Sequence, residues 1–175
     1  PQVSYKEPLP ASVLPPLLAK RRIAIAKDQA FSFLYPHNIE WLEAMGASID
    51  YFSPLHDPRL PHSDAIYLPG GFPELHIPAL SQNLGLASDI RRHFQDNKPM
   101  VAECGGLLYC LQSLADKQGN RAPMLDLLTG HGILQNQLVG LGMHSIELPQ
   151  GQIRGHSFHH CLIENAASPY QYTQP

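Results

Sequence analysis

Pro99-Met100-Val101-Ala102-Glu103-Cys104-Gly105-Gly106, continued by LLYCLQSLAD (107–116), decides the fold. The run before Cys104 is short and apolar, which suits a buried strand, and 107–116 reads as a helix. Between them a cysteine is followed at once by two glycines. That order predicts a tight strand-to-helix turn that lifts the Cys104 thiol above a sheet, as in a nucleophile elbow. The glycines let helix and strand approach closely and let an amide face a developing oxyanion. A helix N-terminus also favours the thiolate. The competing reading is a small buried cysteine in a core turn, and the placement of the glycines argues against it.

The rest of the chain supplies the sheet that such a turn needs. RIAIA (22–26) is an apolar run, NIEWLEAMGA (38–47) spaces Ile39, Leu42 and Met45 three apart, and Gly46 is placed to end that helix. SIDYF follows as a strand, then DAIYLPGG (64–71) as a strand entering a glycine turn. LASDIRRHFQDN (86–97) is helical, with Leu86, Ile90 and Phe94 four apart. Strands alternating with helices predict an α/β fold with a mostly parallel sheet and helices on both faces. After residue 120, ILQNQL, MHSIEL and QIRGHSFHHCLIE alternate and are split by glycine and proline, so antiparallel strands or arms added to the sheet are expected. Residues 1–21, with five prolines, read as a linker or a docked segment, and 22–175 as one domain. A chain that opens and closes on proline is expected to be cut from a longer polypeptide.

Composition narrows the class. The 175 residues carry 15% charged side chains, fewer than the roughly 25% of an ordinary domain, which hints at a face covered by something else. A net charge of -3 provides no basic stripe and argues against nucleic acid as a partner. No apolar run approaches the roughly 20 residues that cross a bilayer, and no signal peptide is visible, so a cytoplasmic domain with free thiols is expected. Cys110 and Cys161 read as packing residues. The densest histidine cluster is GHSFHH (155–160). On a strand its alternate members face opposite sides, so only some can point into one site. His156 and His160 are four apart, but the segment does not read as a helix, which makes zinc a poor reading.

LPGGFPELH (68–76) ends another strand at the same sheet edge as the elbow, where a Gly-Gly turn can present a second amide to an oxyanion. No Gly-Lys-Ser/Thr follows it, so it is no phosphate loop.

Together AIAKDQAFSFLYPHNIEWLEAMGA (24–47), DAIYLPGGFPELH (64–76), AECGGLLY (102–109) and RGHSFHH (154–160) resemble the glutamine amidotransferase domain of the cobyrinic acid a,c-diamide synthase family. The resemblance implies a flavodoxin-like class I glutaminase fold. It assigns Cys104 as the nucleophile toward glutamine and His159, in the pattern G-H-x-F-H, as its base and acid. It assigns the amides of Gly71 and Gly105 to the oxyanion. Related amidotransferases carry a glutamate two residues past the histidine. Here that position is Cys161, so what orients His159 is left open, with a backbone carbonyl as the best candidate. Ser157 stands where the family usually has glutamate.

The AKDQAFSF segment is expected either to face an ammonia exit, with Asp28, Phe31 and Tyr35 near a domain interface, or to be a packed loop. The resemblance places ATP, magnesium and the corrin substrate on an N-terminal synthetase domain that this chain lacks, and no cofactor or metal on the chain itself. The isolated domain is then expected to turn over little glutamine. A cobyric acid synthase-like amidotransferase, a cysteine hydrolase and a non-catalytic docking domain are the alternatives.

Overall fold

A computed structural model describes residues 15–149 and 151–169. Four parallel strands, β1 (Arg22–Ala26), β2 (Ser48–Phe52), β3 (Ala65–Leu68) and β4 (Met100–Ala102), form a sheet in the order β2-β1-β3-β4. The helices are α1 (Pro36–Ala44), α2 (Ile77–Gln82), α3 (Leu84–Gln95) and α4 (Gly105–Cys110). A 3₁₀ turn, Pro73–Leu75, precedes α2.

The strand period of two separates the core into two layers. Ala24 and Ala26 of β1 face Leu80, Leu86, Ile90 and Tyr109 from α2, α3 and α4. Ile23 and Ile25 face the other way, onto Ile39 of α1. Helices therefore cover both faces, as the alternation of elements predicts. Pro36 opens α1, where its missing N–H costs nothing, and Gly46 ends it in the left-handed region at φ 93°. In α3 the expected stripe holds for Leu86 and Ile90 but not for Phe94, which is exposed. His93 is buried instead, its ring nitrogen 3.1 Å from the Pro99 carbonyl oxygen.

The expected linker, 1–21, lies outside the described residues as far as residue 14. From Pro15 onward it is docked: the Leu18 N–H donates to the Met45 carbonyl at 2.9 Å, and Leu18 packs beside Ile23 and Ile39.

Two expectations need correction. The helix read over 107–116 stops at Cys110, and Leu111–Ala115 is a strand, β5. Leu111, Leu114 and Ala115 satisfy helical spacing, but β5 lies between β6 (Arg121–Pro123) and β7 (Leu128–Leu134), so pairing on both sides overrides local spacing. Nor do the later strands extend the first sheet. β8 (Gly140–Leu148) and β9 (Gly151–His159) pair only with each other, as a nine-residue antiparallel ribbon. β10 (Cys161–Glu164) pairs with β7, giving a second sheet in the order β10-β7-β5-β6. Among the described residues no helix is long and apolar enough to cross a membrane.

Candidate active site

Cys104 joins β4 to α4 with φ 50° and ψ -113°, a backbone conformation that non-glycine residues rarely adopt. Its side chain is exposed while Gly105 and Gly106 behind it are buried. The reason for both glycines is contact distance. A Cβ at Gly106 would stand 2.1 Å from the Leu68 carbonyl oxygen, and one at Gly105 would stand 2.8 Å from Pro73 Cδ and 2.9 Å from the Gly71 nitrogen. Helix α4 thus starts in direct contact with the end of β3, and the strained turn holds the thiol outward.

The Gly70-Gly71 turn lies against this elbow. A Cβ on Gly70 would come within 3.2 Å of both Cys104 Cβ and Phe33 Cδ2, and one on Gly71 would strike the Ala30 carbonyl oxygen at 2.1 Å. The Gly71 N–H donates to no backbone acceptor among the described residues. Gly105 opens α4, so its N–H has no intrahelical acceptor either. Two free amides therefore sit side by side next to the thiol, the arrangement an oxyanion requires.

His159 ends β9. Its Nδ1 lies 3.0 Å from the Cys161 carbonyl oxygen. A carbonyl only accepts, so Nδ1 carries the proton and Nε2 keeps its lone pair. Across the ribbon its register partner is Gly140, and a Cβ there would stand 2.1 Å from His159 Nε2. The Nε2 side of the ring thus occupies the space that a side chain at 140 would fill. No hydrogen bond joins Cys104 to His159 among the described residues. Cys161, whose carbonyl holds His159, is itself buried. Its thiol is pushed up to about 11, by burial first and then by the nearby Glu74 carboxylate, with Cys104 adding a smaller push. Cys161 and Cys110 are both buried, and burial pushes the Cys110 thiol up to about 12, so both pack as expected.

Four further residues belong to this neighbourhood. Glu74 is half-buried on the turn after Gly71, and desolvation raises its pKa. The Tyr67 hydroxyl donates to the Glu103 carboxylate beside the nucleophile, and burial, followed by that carboxylate, keeps the phenol protonated. Gly140 completes the set. Glu103 and Glu74 stand inside motifs whose glycines and cysteine draw attention first. Tyr67 and Gly140 have no local signal, because their partners lie 36 and 19 residues away in sequence.

The AKDQAFSF segment is mainly a packed loop. Asp28 Oδ1 accepts from the N–H groups of Ala30 and Phe31, and Oδ2 from Ser53 Oγ and the Leu55 N–H. Phe31 is fully buried against Tyr109. Phe31 is therefore not at a surface and Asp28 is half-buried with both carboxylate oxygens engaged, whereas Tyr35 and Phe33 remain exposed, Phe33 edge-on to Phe72 at 4.9 Å.

Known proteins share this organisation. The hydrogenobyrinate a,c-diamide synthase of Stutzerimonas stutzeri (strain A1501) is 49% identical over 169 residues, 97% of this chain and 39% of that protein. The cobyrinate a,c-diamide synthase of Herminiimonas arsenicoxydans is 43% identical over 158 residues, 90% of this chain and 36% of that one. The chain thus spans under two-fifths of the length of these curated relatives. A crystal structure of a glutamine amidotransferase matches the fold with a TM-score of 0.58 at 14% identity, over 83% of this chain and 75% of that one. Residues 22–174 match the family model described as the CobB/CobQ-like glutamine amidotransferase domain, and the chain belongs to that family.

Proposed function

We propose that this domain hydrolyses the side-chain amide of glutamine at Cys104 and hands the ammonia to a synthetase portion of the same polypeptide. That portion amidates the a and c carboxylates of a corrin ring in cobalamin biosynthesis, as the names of the relatives suggest. The observation that carries the reading is the strained Cys104 turn, with the amides of Gly71 and Gly105 beside it.

In this mechanism His159 Nε2 takes the Cys104 proton as Sγ bonds to the amide carbon. The resulting oxyanion accepts hydrogen bonds from the Gly71 and Gly105 N–H groups. His159 returns the proton to the departing nitrogen, the C–N bond breaks, and ammonia leaves a glutamyl thioester. Water, deprotonated by His159, attacks that thioester. Glutamate is released and Sγ regains its proton.

ATP and magnesium belong to the synthetase portion. Neither glycine turn here continues into the Gly-Lys-Ser/Thr of a phosphate loop. No step of the glutaminase reaction uses them. The choice between cobyrinate and hydrogenobyrinate also falls to that portion.

The test is covalent labelling with diazo-oxo-norleucine, a glutamine-analogue electrophile, on this chain and on the full-length protein. The expected adduct is on Cys104, and glutamine should block it. An adduct that glutamine does not block would point to a cysteine hydrolase. Absence of any adduct in both proteins would leave a docking domain.

A further inference from the structure

The β8–β9 ribbon stands apart from both sheets. Its strands pair with each other over nine residues, and neither joins another strand. A two-stranded ribbon without a packing partner is marginal in water, yet this one exposes large apolar side chains, Ile153 on the His159 face and three on the opposite one. Leu141 and Phe158 are register partners, and Met143 continues that face; they are 71%, 62% and 70% exposed. Toward the tip the same face turns polar, with Gln152 donating to Glu147 and the Arg154 Nε donating to Gln152. An apolar centre with a hydrogen-bonded polar margin is the anatomy of a protein interface.

The ribbon is also joined mechanically to the site. β7 leads into it and β10 out of it, and those two strands pair at its base, where Cys161 faces Leu134. The Val139 N–H donates to the His159 carbonyl at 2.9 Å, and the Gln135 N–H to the His160 carbonyl at 2.8 Å. The His159 ring rests on Gly140. Any body that holds the ribbon therefore holds the ring.

We infer that the Leu141–Met143–Phe158 face is the surface on which the synthetase portion of the full-length polypeptide docks, and that docking fixes His159 for catalysis. The inference rests on the glutaminase reading above. A nine-residue ribbon is about 30 Å long and roughly 10 Å wide, so one face offers about 300 Å². A free partner, including a second copy of this chain, needs roughly 800 Å² per side for a stable complex. A tethered partner does not, because the linker supplies a high effective concentration. The relatives carry the matched region as 39% or less of one continuous polypeptide, which makes the occupant a tethered one.

The test compares amide hydrogen exchange at 140–148 and 151–159 in this chain and in the full-length protein. Exchange should slow at least tenfold in the full-length protein. Met143→Lys and, independently, Leu141→Lys should restore fast exchange there. Both should lower glutamine-supported amidation at least tenfold, with ammonia-supported amidation kept within twofold. Either substitution replaces an exposed side chain, and diazo-oxo-norleucine labelling of the variant chains should match the parent. Equal exchange in the two proteins, or full glutamine-supported activity in both variants, overturns the inference. So does slow exchange in the isolated chain that disappears on dilution, which would assign the face to a second copy. Loss of Cys104 labelling in the unsubstituted protein would instead overturn the glutaminase reading, and the exchange comparison would still decide the docking.

Discussion

The imidazole of His159 is oriented by the main chain of Cys161, whose carbonyl oxygen lies 3.0 Å from Nδ1. The resemblance leads to a glutamate at this position; the chain has Cys161 there, and the ring meets a backbone acceptor instead. The contact is local and cannot be removed by changing a side chain. Cys161→Ala should therefore leave the rate of diazo-oxo-norleucine labelling within about threefold. His159→Ala should lower it by about 10²–10⁴, the usual contribution of a general base. Rates of Cys104 modification measured by mass spectrometry check both, and a large loss in Cys161→Ala would show that the thiol itself takes part.

Gly140→Ala tests the seat of the ring. The new Cβ would stand 2.1 Å from Nε2, so the ring must turn away while the ribbon keeps its pairing. Labelling should fall at least tenfold, toward the level of His159→Ala, with the thermal midpoint shifted by only a few degrees. Unchanged labelling would mean that His159 acts from another position.

Asp28 organises the loop after β1 through four accepted hydrogen bonds, to Ala30, Phe31, Ser53 and Leu55. Asp28→Ala takes this acceptor from Ala30, Ser53 and Leu55, while the Phe31 N–H keeps the Asp28 carbonyl, and should destabilise the domain by about 2–4 kcal/mol in urea unfolding. A variant as stable as the parent would return Asp28 to the interface role that the motif suggested.

Glu74 gives a pH signature. Burial raises its carboxyl pKa in the folded state above the ordinary value of 4.5, so folding favours the protonated form. That contribution is fully present below pH 4.5 and is lost as pH rises through the folded value. Glu74→Gln should thus melt at a higher temperature than the parent at pH 7, and the gain should vanish at pH 4. Scanning calorimetry at the two pH values decides it; a gain of equal size at both would trace the effect to packing.

Much of this architecture is legible from local chemistry. β1, β3 and β4 are short apolar runs, β3 closed by Pro69-Gly70 and β4 opened by Pro99, and the Cys104 turn announces itself through two adjacent glycines. Elements that depend on distant partners are not legible in this way. LQSLA (111–115) fits a helix as well as a strand until β6 and β7 pair with it. Phe94 has the helical spacing of a core residue, yet His93 takes the buried place because a carbonyl at Pro99 satisfies its ring. Gly140 looks like any turn glycine until β9 lays a histidine over it. Asp28 and Phe31 were equally compatible with a surface and a packed loop, because the deciding groups, Ser53, Leu55 and Tyr109, come from other elements.

The glycines around Cys104 define the site by what they leave out. At positions 71 and 106 a single methyl group would collide with a backbone oxygen at 2.1 Å, and at 105 with the neighbouring turn at 2.8 Å. No smaller residue exists, and backbone cannot step aside as a side chain can. The centre around the thiol therefore has no conservative variants, and its shape is inherited whole or lost. At the rim, by contrast, Phe33 and Phe72 are exposed side chains, and each can change without disturbing the turn that presents the thiol.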